Sequence, residues 1–325
     1  MKLLEIFGRL SDDIQYIEKK LEESVRSDDA ELNEAAAHLL KAGGKRLRPV
    51  FVLLSGRFGN YDLERLTDAA VTLELIHMAT LVHDDVVDDA DTRRGKPTVK
   101  AKWDERIAMY TGDFILGKAL TVATRVDRPD FHRILSRAVV QMVIGEMEQL
   151  RLFYRLDQSV RDYLLRIRRK TALLIAVSCQ LGAMAADVPD HLTRRLYSFG
   201  YNAGMAFQIQ DDLLDISGTA EQLGKPPGND IRQGNITLPV LYALRDGSVF
   251  SSVERALRGA QDGNPNEAQL EEALRLIRRS PGVAEAERLA QRFVDKAIDA
   301  LDGIPDQKEK DDLVQIAHFI TSRSY

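Results

Sequence analysis

Apolar residues recur along this chain at helical spacing. Between Asp130 and Arg151, the residues Ile134, Leu135, Ala138, Val139, Met142, Val143, Met147 and Leu150 fall mostly three and four positions apart, the repeat of one helix face. The run Ser159-Val-Arg-Asp162 reads as a helix start, a hydroxyl residue followed three positions later by an acid, and predicts a helix reaching about Ala186. Residues 62–90 and 190–217 predict two more long helices. Proline agrees, because none occurs in 50–96, 130–188 or 190–225, and proline is nearly excluded from helix interiors. Val/Ile/Tyr runs of period two are scarce, so no sheet is expected. Loops are predicted at 91–98, 218–237 and 261–267. No repeat, low-complexity tract or Gly/Ser linker divides the chain, so the pattern predicts one all-α domain over 1–325.

Composition narrows the classes. The chain has 325 residues, 44% hydrophobic and 29% charged, ordinary for a soluble protein with a full core. Its net charge of −5 (45 basic against 50 acidic residues) excludes a general nucleic-acid binder. The one cysteine, Cys179, excludes an intrachain disulfide and a Cys-based zinc site, and its apolar surroundings predict a buried, inert thiol in a reducing cytosol. The longest uncharged run, Thr171–Ala186, falls short of the roughly 20 residues a spanning helix needs. No transmembrane segment is therefore expected. The opening MKLLEIFGRLSDDIQ, with Glu5 and a short apolar stretch, lacks the pattern of a signal peptide. The expectation is a soluble, cytoplasmic protein.

Two acidic segments carry the chemistry. VHDDVVDDAD places Asp84, Asp85 and Asp88 as D-D-x-x-D, and FQIQDDLLD repeats the spacing with Asp211, Asp212 and Asp215. On a helix, positions four apart share a face, so the carboxylates repel unless a cation joins them. Mg²⁺ suits this arrangement, because it takes one or two carboxylates, keeps waters and fills its remaining positions with phosphate oxygens. A single such cluster would read more simply as a solvated acidic face. Two copies embedded in apolar helix favour a pair of metal sites. Three basic runs supply cations: Gly43-Gly44-Lys45-Arg46-Leu47-Arg48-Pro49, Arg93-Arg94-Gly95-Lys96, and Arg166 to Thr171. With the aspartates they imply a diphosphate substrate. Gly112–Ala119 almost spells a P-loop, but Ala119 stands where Ser/Thr is needed and no strand precedes it. Glu74-Leu-Ile-His77 is one E-x-x-H where a di-iron bundle needs two. His83 reads as a packed neighbour.

GGKRLRP, LVHDDVVDDADTRRGKPT, the Lys170-Thr171 pair and FQIQDDLLDISGTAEQLGKPPGNDIRQGN together resemble the trans-type polyprenyl diphosphate synthase family, in that family's own order over residues 40–240. The resemblance implies the isoprenoid-synthase fold, an antiparallel helix bundle around a deep central cavity, with three Mg²⁺ ions. It implies Asp84, Asp85 and Asp88 as metal ligands for the allylic diphosphate, with Asp211, Asp212 and, less directly, Asp215 opposite. Lys45, Arg48, His77 and Arg94 match a pocket for isopentenyl diphosphate. Arg93, Lys170, Thr171, Gln208 and Lys225 match contacts to the allylic diphosphate, with Asp230 nearby. One departure is Asn235, where many relatives carry a second lysine.

The implied reaction is ionisation, condensation and loss of a proton to the released diphosphate. Small residues at Ala79 and Thr80, before Asp84, imply no floor for a short product, and Ile76 is the next constriction. The expected product is an all-trans chain of about C30–C40, heptaprenyl for preference, serving as a quinone side chain. The expected primer is farnesyl diphosphate, and the assembly a homodimer or a heterodimer with a small helical regulatory subunit. A class I terpene cyclase, a shorter-chain synthase and a non-catalytic partner subunit are the alternatives. GGKRLRP and the two intact clusters weigh against the cyclase and the non-catalytic subunit.

Overall fold

The computed structural model describes residues 2–44, 46–93, 95–219 and 227–322. The helices in order are α1 (Lys2–Arg9), α2 (Ser11–Ser24), α3 (Ala30–Lys41), α4 (Leu47–Gly56), α5 (Leu63–Val87), α6 (Val99–Lys102), α7 (Glu105–Ala123) and α8 (Pro129–Leu152). Then come α9 (Val160–Ile167), a π-helical turn (Arg168–Ala172), α10 (Leu173–Ala185), α11 (Asp190–Ser217) and α12 (Asn229–Arg232). The last are α13 (Leu238–Ala243), α14 (Gly247–Gln261), α15 (Glu267–Arg279), α16 (Gly282–Ala300) and α17 (Lys308–Thr321). The all-α class read from the pattern holds.

Two differences from the pattern are informative. Among the described residues the extended structure is a two-residue antiparallel pair, β1 (Thr92–Arg93) with β2 (Lys96–Pro97), inside the loop expected at 91–98. The single helix expected from Ser159 to Ala186 is α9 and α10 joined through the π turn. Its start is as read: Ser159 and Asp162 form a capping box, each side chain bonded to the other's backbone amide.

By contact the chain falls into two compact units. The first comprises Met1–Leu135, Val177–Tyr197 and Gly303–Leu313, and the second Ser136–Ala176, Ser198–Asp302 and Val314–Tyr325. Four of the five boundaries thus fall inside α8, α10, α11 and α17, and the fifth lies between α16 and α17. In the first unit, α4 and α5 are the core: Val50 to Leu54 and Leu66, Ala69, Ala70, Leu73, Leu75 and Ile76 are all buried. In the second, Tyr163, Ile167, Ile209, Leu213 and Ile216 pack with Ile231, Ile236, Leu238 and the apolar faces of α14 and α15.

The stripe read on α8 divides. Leu135, Ala138 and Met142 are buried, whereas Val143, Met147 and Leu150 are exposed, as are Val140 and Ile144, which lie outside the stripe. Among the described residues no helix is long and apolar enough to cross a membrane.

Candidate functional site

The first aspartate cluster closes α5. Asp62 caps this helix at its start, accepting from the Glu64 and Arg65 amides. At its end stand Asp84, Asp85 and Asp88, the last as C-cap. A helix C-terminus carries partial negative charge, so the carboxylates are opposed both by the dipole and by one another. Asp85 is buried, and its Oδ1 accepts from Arg93 Nε at 2.8 Å and meets Nη2 at 2.6 Å. Burial pushes the Asp85 carboxyl up, and the guanidinium opposes that shift. The short β1–β2 pairing, with Gly95 in the left-handed region between the strands, returns Arg93 to the helix end. Asp84 and Asp88 are half-buried.

Beside this cluster, a second arrangement forms within the first unit. Arg46 precedes α4 with a left-handed backbone, φ 47°, which costs a non-glycine residue on the order of 1–2 kcal/mol. Its side chain reaches Glu74 Oε1 at 3.1 Å and Glu18 Oε1 at 3.3 Å, and Glu74 is buried in α5. Gly43, Arg46, Glu74, His77 and Arg93 line one pocket, so His77 shares it with two arginines and a buried glutamate. Arg48 is half-buried in the first turn of α4.

Of the positions expected to limit product length, Ile76 and Ala79 are buried. Thr80 is half-buried and donates to the His77 carbonyl at 2.8 Å. His83 packs on α7, where a Cβ on Gly112 would fall 2.3 Å from its Nε2, and it lies 3.3 Å from Asp113 Oδ1. Helical spacing puts Ile76 and Ala79 on the His83 face and Thr80 on the Asp84 face.

The second unit holds the other cluster. Asp211, Asp212 and Asp215 lie in the last two turns of α11, again at a C-terminal end. Asp212 is buried; Tyr163 donates to its Oδ2 at 2.6 Å and Gln208 to its Oδ1 at 2.9 Å. Burial pushes its carboxyl upward, and those two donors act in the other direction. Thr171 donates to Gln208 Oε1 at 2.7 Å, completing a chain from the π turn to the aspartate. Buried Asp215 accepts from the Asp230 amide at 3.1 Å. Lys170 meets Glu146 Oε2 at 2.7 Å, and Arg169 pairs with Glu148 and donates to Gln141 at 3.2 Å. Glycine makes the π turn fit: a Cβ on Gly145 of α8 would lie 2.8 Å from Arg169 Cβ, and one on Gly204 of α11 would lie 2.6 Å from Ala172 Cα. The wider turn presents Lys170 and Thr171 to Glu146 and Gln208, respectively.

Lys45, Arg94 and Lys225 lie outside the described residues. Within the first unit the structure brings His77 and Arg93 to one pocket and Arg93 to Asp85. Within the second it joins Thr171, Gln208 and Asp212. Among the described residues no three His, Cys, Asp or Glu side chains are gathered as a ready metal cage. The residues not anticipated are Arg46, Glu74, Glu146, Tyr163 and Arg166. Arg46, inside GGKRLRP, Arg166, inside a basic run, and Glu74, in the E-x-x-H read as no di-iron site, carried a signal in the sequence; Glu146 and Tyr163 carried none.

Comparison with known proteins places these observations. The polyprenyl synthetase family matches residues 29–277. The chain is 51% identical over 325 residues to heptaprenyl diphosphate synthase component 2 of Geobacillus stearothermophilus, covering 100% of both. The heptaprenyl diphosphate synthase of Staphylococcus aureus superposes with a TM-score of 0.91 at 38% identity, over 97% of this chain and 98% of that one. A polyprenyl synthase from Caulobacter crescentus, solved with calcium and isoprenyl diphosphate, gives 0.93 at 33% identity over 99% and 98%.

Proposed function

Because this chain belongs to the polyprenyl synthetase family, we propose that it adds isopentenyl diphosphate repeatedly to an allylic diphosphate, with farnesyl diphosphate as primer. The product is a long all-trans polyprenyl diphosphate, heptaprenyl for preference, as the name of the Geobacillus relative suggests. The observation that carries the reading is the twin construction of the two acidic clusters. Each ends a long helix, and in each the second aspartate is buried and held from behind, Asp85 by Arg93 and Asp212 by Tyr163 and Gln208. Asp84 and Asp211 are only half-buried.

The donor set consists of carboxylate oxygens, which fits a hard divalent ion. Asp84, Asp88 and Asp211 would hold magnesium, with Asp85, Asp212 and Asp215 supporting them. When bound, magnesium supplies Lewis-acid stabilisation of charge on the departing diphosphate. The chain's own residues do the rest. Lys170, paired with Glu146 in this structure, exchanges that partner for phosphate oxygens. Thr171 and Gln208 fix the orientation of Asp212. Arg46 and Glu74 hold the start of α4 so that Arg48 and His77 face isopentenyl diphosphate. After the double bond of that substrate attacks the allylic carbon, the proton leaves to the released diphosphate, so no protein base is required.

We further propose one catalytic domain over 1–325, since both units are discontinuous in sequence, a cytoplasmic location, and a small helical partner subunit. The test is to supply farnesyl and isopentenyl diphosphates with Mg²⁺ and measure diphosphate release and product mass. Chains of C30–C40 that vanish with chelator are expected. A cyclic hydrocarbon, or turnover in excess chelator, would overturn the reading.

A further inference from the structure

Arg166 is 3% exposed. Its Nη2 donates to the Ile236 carbonyl at 2.9 Å and its Nη1 to Gln158 Oε1 at 3.4 Å, and the guanidinium lies 5.5 Å from the centroid of the Tyr163 ring. Among the described residues it makes no ion pair. A buried cation held only by neutral acceptors is costly unless nearby charge compensates it. Its neighbourhood is a closed circuit around the second aspartate cluster. Tyr163, one turn before Arg166 on α9, donates to Asp212. Asp215, one turn beyond Asp212, accepts from the Asp230 amide, and the Asp230 carbonyl accepts from the Asn235 amide at 2.7 Å. Asn235 precedes Ile236, whose carbonyl Arg166 holds. Among the described residues the Asn235 Oδ1 is itself buried with no hydrogen-bond partner. Two polar oddities, a buried guanidinium that makes no ion pair although its charge is felt at Asp212 and a buried amide oxygen without a donor among the described residues, thus stand on adjacent links of one circuit.

We propose that Arg166 is a positioning residue that supplies a fixed interior positive charge behind the Asp211–Asp215 cluster, tuning that wall toward the diphosphate anion rather than the bare metal, and that position 235 addresses the same electrostatic field. The inference rests on the reading that this wall binds a metal–diphosphate. Its sign is specific. A fixed cation attracts the anion and repels free Mg²⁺, so removing it weakens the first and does not weaken the second. A prop that merely held the fold together would weaken both when lost.

The experiment is calorimetric titration of the full chain with Mg²⁺ alone and with inorganic diphosphate in saturating Mg²⁺. Arg166→Met is expected to lose about tenfold in diphosphate affinity, with Mg²⁺ affinity held or raised, and Arg166→Lys to retain most of both. Adding Asn235→Lys to Arg166→Met is expected to restore diphosphate affinity. If Arg166→Met fails to fold, Asn235→Lys in the otherwise unchanged chain carries the test, and it is expected to tighten diphosphate binding. Equal loss for both probes without rescue, unchanged affinities in Arg166→Met, or no tightening in the single Asn235→Lys variant would overturn the inference. Absence of diphosphate binding by the unaltered chain would instead overturn the functional reading beneath it.

Discussion

Asp84 and Asp85 are neighbours with different structural duties. Asp84 is half-buried, whereas Asp85 is buried and bonded to Arg93. Asp84→Ala should abolish condensation and cost less stability than Asp85→Ala, because its carboxyl is the more exposed of the two. Asp85→Ala should abolish condensation and also cost about 1.5–3 kcal/mol, as expected for losing a charge-assisted bond. Thermal scans beside product assays check the pair, and equal melting shifts would contradict the division of roles. Cys179 gives a second residue-level prediction. Burial pushes its thiol from the ordinary 9.0 up to about 12. Between those values the unfolded chain binds fewer protons than the folded one, so stability falls as pH rises through that window. Cys179→Ala should lose less stability than wild type between pH 8 and 10 in urea titrations, and a thiol reagent should label the native chain only after unfolding. The aspartates and Cys179 were legible because residue type and spacing define them. Arg46, Glu74 and Tyr163 were not, because their partners come from far along the chain: Glu74 lies 28 residues from Arg46, and Asp212 lies 49 from Tyr163. No local pattern marks such pairs.

At the scale of elements, the capping box at Ser159 and the proline-free stretches made helix starts and spans readable, since these are local features. The π turn was invisible, because what selects it is the approach of α8 and α11 at Gly145 and Gly204. Gly145→Ala should force Arg169 and the turn aside, costing about 1–3 kcal/mol by overpacking. It should also raise KM for the allylic substrate more than for isopentenyl diphosphate. Steady-state kinetics with each substrate varied in turn, beside urea titrations, decide this, and an unchanged KM with lowered stability would mean the turn does not aim Lys170. On α5, the reading that Ala79 and Thr80 set product length now divides. Thr80→Phe, on the Asp84 face and half-buried, should shorten the product to about C15–C20 with little loss of stability. Ala79→Phe, at a buried site on the His83 face, should lower the melting temperature as well. Chromatography of products with parallel thermal scans separates the two, and an unchanged chain length in Thr80→Phe would show that the tail does not pass this face.

For the whole molecule, the exposed ladder Val140, Val143, Ile144, Met147 and Leu150 on α8 is the apolar feature least suited to water. It supports the proposed partner. Val143→Glu with Ile144→Lys should leave the melting temperature within about 1 °C, since surface changes cost little. The double variant should lose the stimulation of long-chain synthesis that co-purified partner provides; sedimentation and product length measure the loss, and a full response would place the partner elsewhere. A domain reading from length and linker absence could not anticipate two units that interleave, because sequence shows where chain breaks are missing and not where contacts close. One such closure is the pairing of Arg9 with Asp312 inside the first unit, 303 residues apart. Its consequence lies in time. At ribosomal rates of about 5–20 residues per second, Arg9 waits roughly 15–60 s for Asp312 to be made. During that interval the unit also lacks Ile304 and Leu313, both buried in the finished protein. The segment made first thus emerges from the ribosome as an open half-core, and whatever shields it until synthesis ends governs how much of the chain survives its own birth.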